Sequence, residues 1–278
     1  MQTSSRYTWR LLLVELVSVI VALLFLVPFY YILVNSFKSY KDILLDPSAL
    51  PTELLFGNYR TAWERMHYIQ SFGNSLLITV LSIAGILLIS SMGAYRISRF
   101  PTRFNRFIFT LAIASMIIPF QVLMIPLVKM LQSFKLIGSP IGVILSYFGF
   151  FFAFSAFLLH GFLQSVPREV EEAGIVDGCS QTGVFFRIVA PLLRPIFATL
   201  IILHTLAIWN DFLLPYIVLT DRTYWTIPLH IYQFFGEYTK EWNYALPVLV
   251  LGITPMVVFF IFLQKHIVQG IASGAVKG

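Results

Sequence analysis

Residues 165–195 read SVPREVEEAGIVDGCSQTGVFFRIVAPLLRP. They form the longest polar and charged island in the second half of the chain. The apolar run on either side is long enough to cross a bilayer. The order of residues predicts two short helices and a bend. Pro167 suits a first helical position, where its missing N–H is not needed. Glu169, Glu171 and Glu172 follow within the first turn and a half, opposite the positive helix end. Asp177-Gly178 supplies a stop, with glycine in the left-handed cap. Ser180 can cap the second helix, which Pro191 is expected to end. Ala173, Gly174 and Gly178 are small enough for a partner surface to come close to the backbone. A helix over 167–177 would be about 16 Å long, the dimensions of a rigid peg.

Working outward, the chain is 58% hydrophobic and 12% charged over 278 residues. A soluble domain is nearer about 45–50% apolar and about 25% charged. The predicted class is therefore all-α integral membrane. It is a six-helix transmembrane bundle forming one domain over 1–278, with membrane lipid as its surroundings. Spans are expected at about 11–34, 72–94, 107–131, 141–163, 196–219 and 244–264, each near the ~20 residues that cross the hydrocarbon core. The first run is too long for a signal core and no A-x-A site follows it, so it reads as a retained span.

Six spans put both ends on one side. The termini and the 95–106 and 165–195 loops hold eleven Lys/Arg against eight elsewhere. The sharper contrast is the run YRISRFPTRFNR, where Arg96, Arg99, Arg103 and Arg106 have no acid among them. The positive-inside rule makes the termini and the 165–195 loop cytoplasmic. The net charge of +6 sits beside spans rather than in a separate basic domain, which argues against a nucleic-acid partner. Cys179 is the only cysteine and cannot form an internal disulfide. The five histidines are scattered without an i, i+4 pair, so no metal site is expected. The chain has no phosphate-cradling Gly-x-x-x-x-Gly-Lys-Ser/Thr and no Gly-x-Ser-x-Gly elbow, so it is not read as an enzyme. If it belongs to a pump, the ATPase is another chain.

Polar groups inside the spans are the candidates for a solute path. Span five carries Trp209-Asn210-Asp211 and Pro215. A carboxylate at membrane depth needs a cavity or a partner. Pro215 would leave the carbonyl of Asp211 free. Carboxylate, amide, carbonyl and indole together would suit a polar solute. A kink with an interhelical polar contact explains the same residues. In span three Pro119 and Pro126 would release the carbonyls of Ser115 and Val122, and Gln121 is the side chain expected to face a pore. The 220–243 segment holds Tyr224, Trp225, Phe234 and Phe235 among other aromatics. Either an interfacial belt or a docking surface for an external protein fits them.

The loop also resembles the EAA loop of the membrane subunits of binding-protein-dependent ABC importers. That pattern is Glu-Ala-Ala, three residues, Gly, nine residues, then Ile-x-Leu-Pro. Here it reads Glu172-Ala173-Gly174, then Gly178, then Ile188-Val189-Ala190-Pro191. Gly174 and Ala190 depart from it, and both are small and apolar. With WNDFLLPYIVL at 209–219 and the ending QKHIVQGIASGAVKG, the chain is similar to maltose-type sugar permeases, in particular the second permease of each pair. The resemblance implies a sister permease, two copies of an ATPase that binds ATP and magnesium, an external solute-binding protein and a sugar substrate. It also implies a bacterial or archaeal plasma membrane. The loop helix, with Glu171, Glu172, Ala173, Gly174, Asp177 and Gly178, would be a coupling helix seated in an ATPase groove. The tail would reach towards the ATPases, and the segment after span five would touch the binding protein.

Overall fold

The computed structural model describes residues 9–236 and 241–275, the last helix by its backbone alone beyond Phe262 apart from Gln264. Every regular element among the described residues is helical. The chain divides into two compact units, one joining residues 1–67 to 231–254, the other joining 68–230 to 255–278.

In the first unit, α1 (Trp9–Asn35) is apolar all round, and its most hydrophobic window has no buried residue. An apolar helix of that length left uncovered is suited to a bilayer. Its end is stapled to the following segment. Asn35 donates to the carbonyls of Tyr31 and Pro47 at 2.8 and 2.9 Å, and the Tyr30 hydroxyl donates to the Ser48 carbonyl at 2.8 Å. Two short helices follow, α2 (Tyr40–Leu45) and α3 (Gly57–Arg65). Asn58 of α3 is buried and donates to the carbonyls of Ser36 and Lys38.

The second unit opens with α4 (Tyr68–Arg99), then α5 (Arg103–Ser115), α6 (Phe120–Ser133) and α7 (Pro140–Leu163). After them come α8 (Arg168–Val176) and α9 (Gln181–Val184), a π turn at Phe185–Val189, and α10 (Ala190–Leu192). The unit continues with α11 (Arg194–Trp209), α12 (Leu213–Val218) and a 3-10 turn at Arg222–Tyr224. The remaining helices, α13 (Ile227–Gly236) and α14 (Trp242–Ala275), contribute residues to both units.

The pairing of α4 with α7 is the spine of the second unit. Ser71, Ser75, Thr79, Ser82 and Ser90 are buried along one face of α4, three or four residues apart except at the last step. Small residues let two membrane helices approach closely. At Gly85 the approach is tight enough that the Phe148 ring occupies the space a side chain there would need. One buried cluster includes Ile78, Ile86, Val143, Tyr147 and Leu214, and a second includes Ala94, Leu159, Leu163, Val184 and Leu200.

Among the described residues, four helices are long and apolar enough to cross a membrane: Trp9–Asn35, Tyr68–Arg99, Pro140–Leu163 and Trp242–Phe262. Two bent pairs raise the number to six, Arg103–Ser115 with Phe120–Ser133 at 110° and Gln181–Leu192 with Arg194–Trp209 at 72°. The 110° bend falls inside the expected third span, which is broken rather than kinked, whereas the 72° bend at Leu193 lies just ahead of the expected fifth span. In the third, α5 ends at Ser115 and closes in tighter turns up to Ile118, which as the residue before Pro119 avoids helical backbone, and Pro119 caps α6 in an extended conformation. The Ser115 carbonyl is not released, since it accepts the Ile118 N–H at 3.2 Å. Pro126 lies inside α6 without ending it. In the fifth, α11 ends at Trp209 and α12 starts at Leu213. Pro215 lies beyond this break. It falls in the first turn of α12, where a missing N–H leaves no bond unmade.

Candidate coupling loop and translocation cavity

The predicted peg is α8, with Pro167 at the N-cap rather than inside the helix. Nine residues make it about 13 Å long. Gly178 has φ +85°, its N–H bonds the Ile175 carbonyl at 3.0 Å, and the Cys179 N–H bonds the Gly174 carbonyl at 2.9 Å. This double closure fixes the end of the helix and favours glycine at 178. Ser180 caps the next helix by accepting the Gly183 N–H at 3.2 Å. Pro191 does not end it. The run widens into the π turn, where the Ala190 N–H bonds the Phe185 carbonyl, and continues to Leu192. The wider turn accommodates a proline ring that a regular α turn would reject.

The six loop candidates fall on two sides. Glu172, Ala173, Asp177 and Gly178 are exposed, as are Ile175 at 55% and Val176 at 86%. Glu171 and Gly174 point into the protein. A side chain at Gly174 would overlap the end of Ile188, so its smallness serves a contact within the chain. Glu171 accepts from Arg99 Nε at 2.7 Å and from the Tyr95 hydroxyl at 2.9 Å, and Arg99 Nη2 lies 2.6 Å from the same carboxylate as an ion pair. Arg99 also donates to the Val166 carbonyl at 3.0 Å. Both side chains of the ion pair are 9% exposed. Sequence reasoning treated Arg99 only as part of a basic loop and missed Tyr95. Their i, i+4 spacing puts them on one face of α4, but nothing local ties that face to a carboxylate 72 residues later.

The four solute-path candidates separate in the same way. Gln121 and Asp211 line one cavity of about 350 Å³ with Phe120, Tyr147, Phe150 and Phe151. Asp211 Oδ2 accepts from the Tyr147 hydroxyl at 2.9 Å, and Oδ1 accepts the Leu213 N–H at 3.0 Å. That second bond starts α12 and, with the Asn210 amide returned to the Leu206 carbonyl at 2.8 Å, accounts for the break. Asn210 is exposed, and Trp209 is buried elsewhere. Its ring meets Phe72 edge-on at 5.6 Å beside a separate apolar cavity of about 490 Å³. The indole therefore does not accompany the carboxylate. Tyr147, Phe150 and Phe151 were missed, because a uniformly apolar helix does not reveal which of its faces meets a cavity.

In the segment after α12, Tyr224 is 40% exposed and Trp225 is half-buried under the Arg222 guanidinium. In the other unit, Phe234 is 4% exposed, which removes it as a surface contact, and Phe235 packs edge-on against Trp242.

The sequence model for the binding-protein-dependent transport system inner membrane component family matches residues 85–273. The chain belongs to this family. It is 38% identical to the protein named "Probable starch degradation products transport system permease protein" of Thermoanaerobacterium thermosulfurigenes, over 95% of this chain and 96% of that one. It is 34% identical to the melibiose/raffinose/stachyose import permease protein of Bacillus subtilis, over 96% of each. Among solved structures, a bacterial ABC transporter involved in alginate import matches with TM-score 0.79 and 22% identity, over 93% of this chain and 98% of that one. The last is a likeness of fold. As an inner membrane component of such a system, the chain is a transport permease, and both the loop and the break at 210–212 lie within the matched residues.

Proposed function

We propose that this permease is the passive half of a carbohydrate path through a bacterial or archaeal plasma membrane, driven by ATPases on separate chains. Its partners are a sister permease, two ATPase subunits carrying ATP and magnesium, and an external binding protein that delivers the sugar. Both termini and α8 face the cytoplasm. The observation that carries the reading is α8 itself, a doubly closed helix that presents Glu172, Ile175 and Val176 outward and is pinned from behind by a buried ion pair. Such a helix has the stiffness to transmit force from a groove on another protein. The names of the relatives support sugar as the substrate class.

Closure of the ATPases on ATP draws α8 along as a rigid body and tilts the spans, closing the inner side and opening the outer side. Sugar then enters a cavity where Asp211 and Gln121 offer hydrogen bonds and Tyr147, Phe150 and Phe151 offer ring faces for C–H contact. A carboxylate with two bonds satisfied keeps further acceptor sites for hydroxyl groups.

The test is reconstitution of the complete transporter with Glu172→Lys. The variant is expected to reach the membrane and to hydrolyse ATP without uptake. Uptake at the wild-type ratio of solute to ATP would overturn the role of this face.

A further inference from the structure

The buried ion pair at the loop has a counterpart at the far end of the same helix. Helix α4 runs unbroken for 32 residues with no proline, about 48 Å. At its last turn Tyr95 and Arg99 hold Glu171 and the Val166 carbonyl. At its first turns Gln70 and Asn74 both donate to the Thr223 carbonyl, at 3.1 and 2.8 Å, and Asn74 also donates to the Trp225 carbonyl at 3.0 Å. Ser75 accepts the Ile227 N–H at 2.9 Å in a buried position. Side chains of one helix thus grip the loop helix at one end and residues 223–227 at the other.

We propose that α4 is a tie rod clamped at both ends, carrying displacement of α8 directly to the 223–227 segment. Glu171 and Arg99 are positioning residues in this device, and Asn74 is their opposite number. The two grips differ in kind. Removing either charge of the inner grip leaves the other buried and unpaired, so the pair holds or fails as a unit. The outer grip is made to backbone groups, so it fixes the course of the segment whatever side chains it displays. Exposed Glu172 can meet a partner while Glu171, next to it in the chain, ties the same helix to the rod. The idea rests on the proposed function, since it assumes that α8 is moved by an ATPase.

A test needs no knowledge of the solute. In the assembled transporter, with Cys179→Ser as background, a spin label at Tyr224→Cys reports the outer segment, and ATP with magnesium is the probe. The wild-type complex should show an ATP-dependent change in the label's spectrum. Glu171→Gln and Asn74→Ala should each reduce the switching fraction about tenfold while the ATPase still co-purifies, a typical size for coupling between sites. The charge-reversed R99E/E171R double variant should recover most of the response, which restored packing alone would not produce. If Glu171→Gln fails to assemble, Tyr95→Phe removes one donor and should reduce switching about fivefold. Full switching in assembled Glu171→Gln or Tyr95→Phe complexes would overturn the tie rod. So would a reversed pair no better than the single variant. A wild-type complex that binds no ATPase or ignores ATP would instead overturn the proposed function beneath it.

Discussion

The loop at 165–195 and the cavity around Asp211 are built by opposite means. The loop's shape comes from neighbours in sequence. Gly178 and Cys179 close a helix onto Ile175 and Gly174, and Ser180 opens the next one three residues from its partner Gly183. The cavity's shape comes from segments far apart. Gln121, Tyr147 and Asp211 meet only because α6, α7 and the 210–212 break converge. Under the proposed function, the helix that must be stiff has its end closed by local bonds, and the cavity that must open is made between separate helices.

Substitutions can separate the two. The largest effect should come from Arg99→Ala, which strands Glu171 in a buried position at a cost of about 3–5 kcal/mol. Thermal unfolding of the purified complex and hydrogen exchange over 168–176 would measure it. Unchanged protection there would mean that the loop does not lean on α4. Asp211→Asn removes the charged acceptor for Tyr147 and for any hydroxyl in the cavity, and should lower uptake about tenfold with α8 protected as before. Equal damage to both regions would erase the distinction drawn here. Gly178→Ala forces a Cβ into the left-handed region and should cost about 1–2 kcal/mol, seen as faster exchange of the 178 and 179 amides. Trp209→Phe keeps an aromatic ring in the separate apolar cavity, and uptake should stay within about twofold of wild type. A loss as large as that of Asp211→Asn would put the indole back on the solute path.

The same contrast explains what the sequence made legible. The loop helix, its glycine stop and the Ser180 cap could be read because each rests on residues within a few positions of one another. Where local signals compete, the reading slipped. Pro215 suggests a freed Asp211 carbonyl or a kink in span five, but Asn210 and Asp211 turn their own side chains onto nearby backbone groups and end the helix first. Pro119 was placed correctly as a perturbation, yet a 110° bend is more than a released carbonyl implies. The aromaticity of Phe234 does not disclose the direction it faces. The Arg99–Glu171 pair and the Tyr147–Asp211 bond span 72 and 64 residues, and no pattern in a single sequence joins them.

The Phe148 ring lying over Gly85 has a mechanical corollary. With no side chain on Gly85, the ring seats against the α4 backbone, and α4 and α7 cannot slide past each other without lifting an aromatic plate out of its seat. The pair is therefore built to shift as a single plank, and under the proposed function a push at the Arg99 end would reach the Tyr147 wall of the cavity without being lost in slippage between helices.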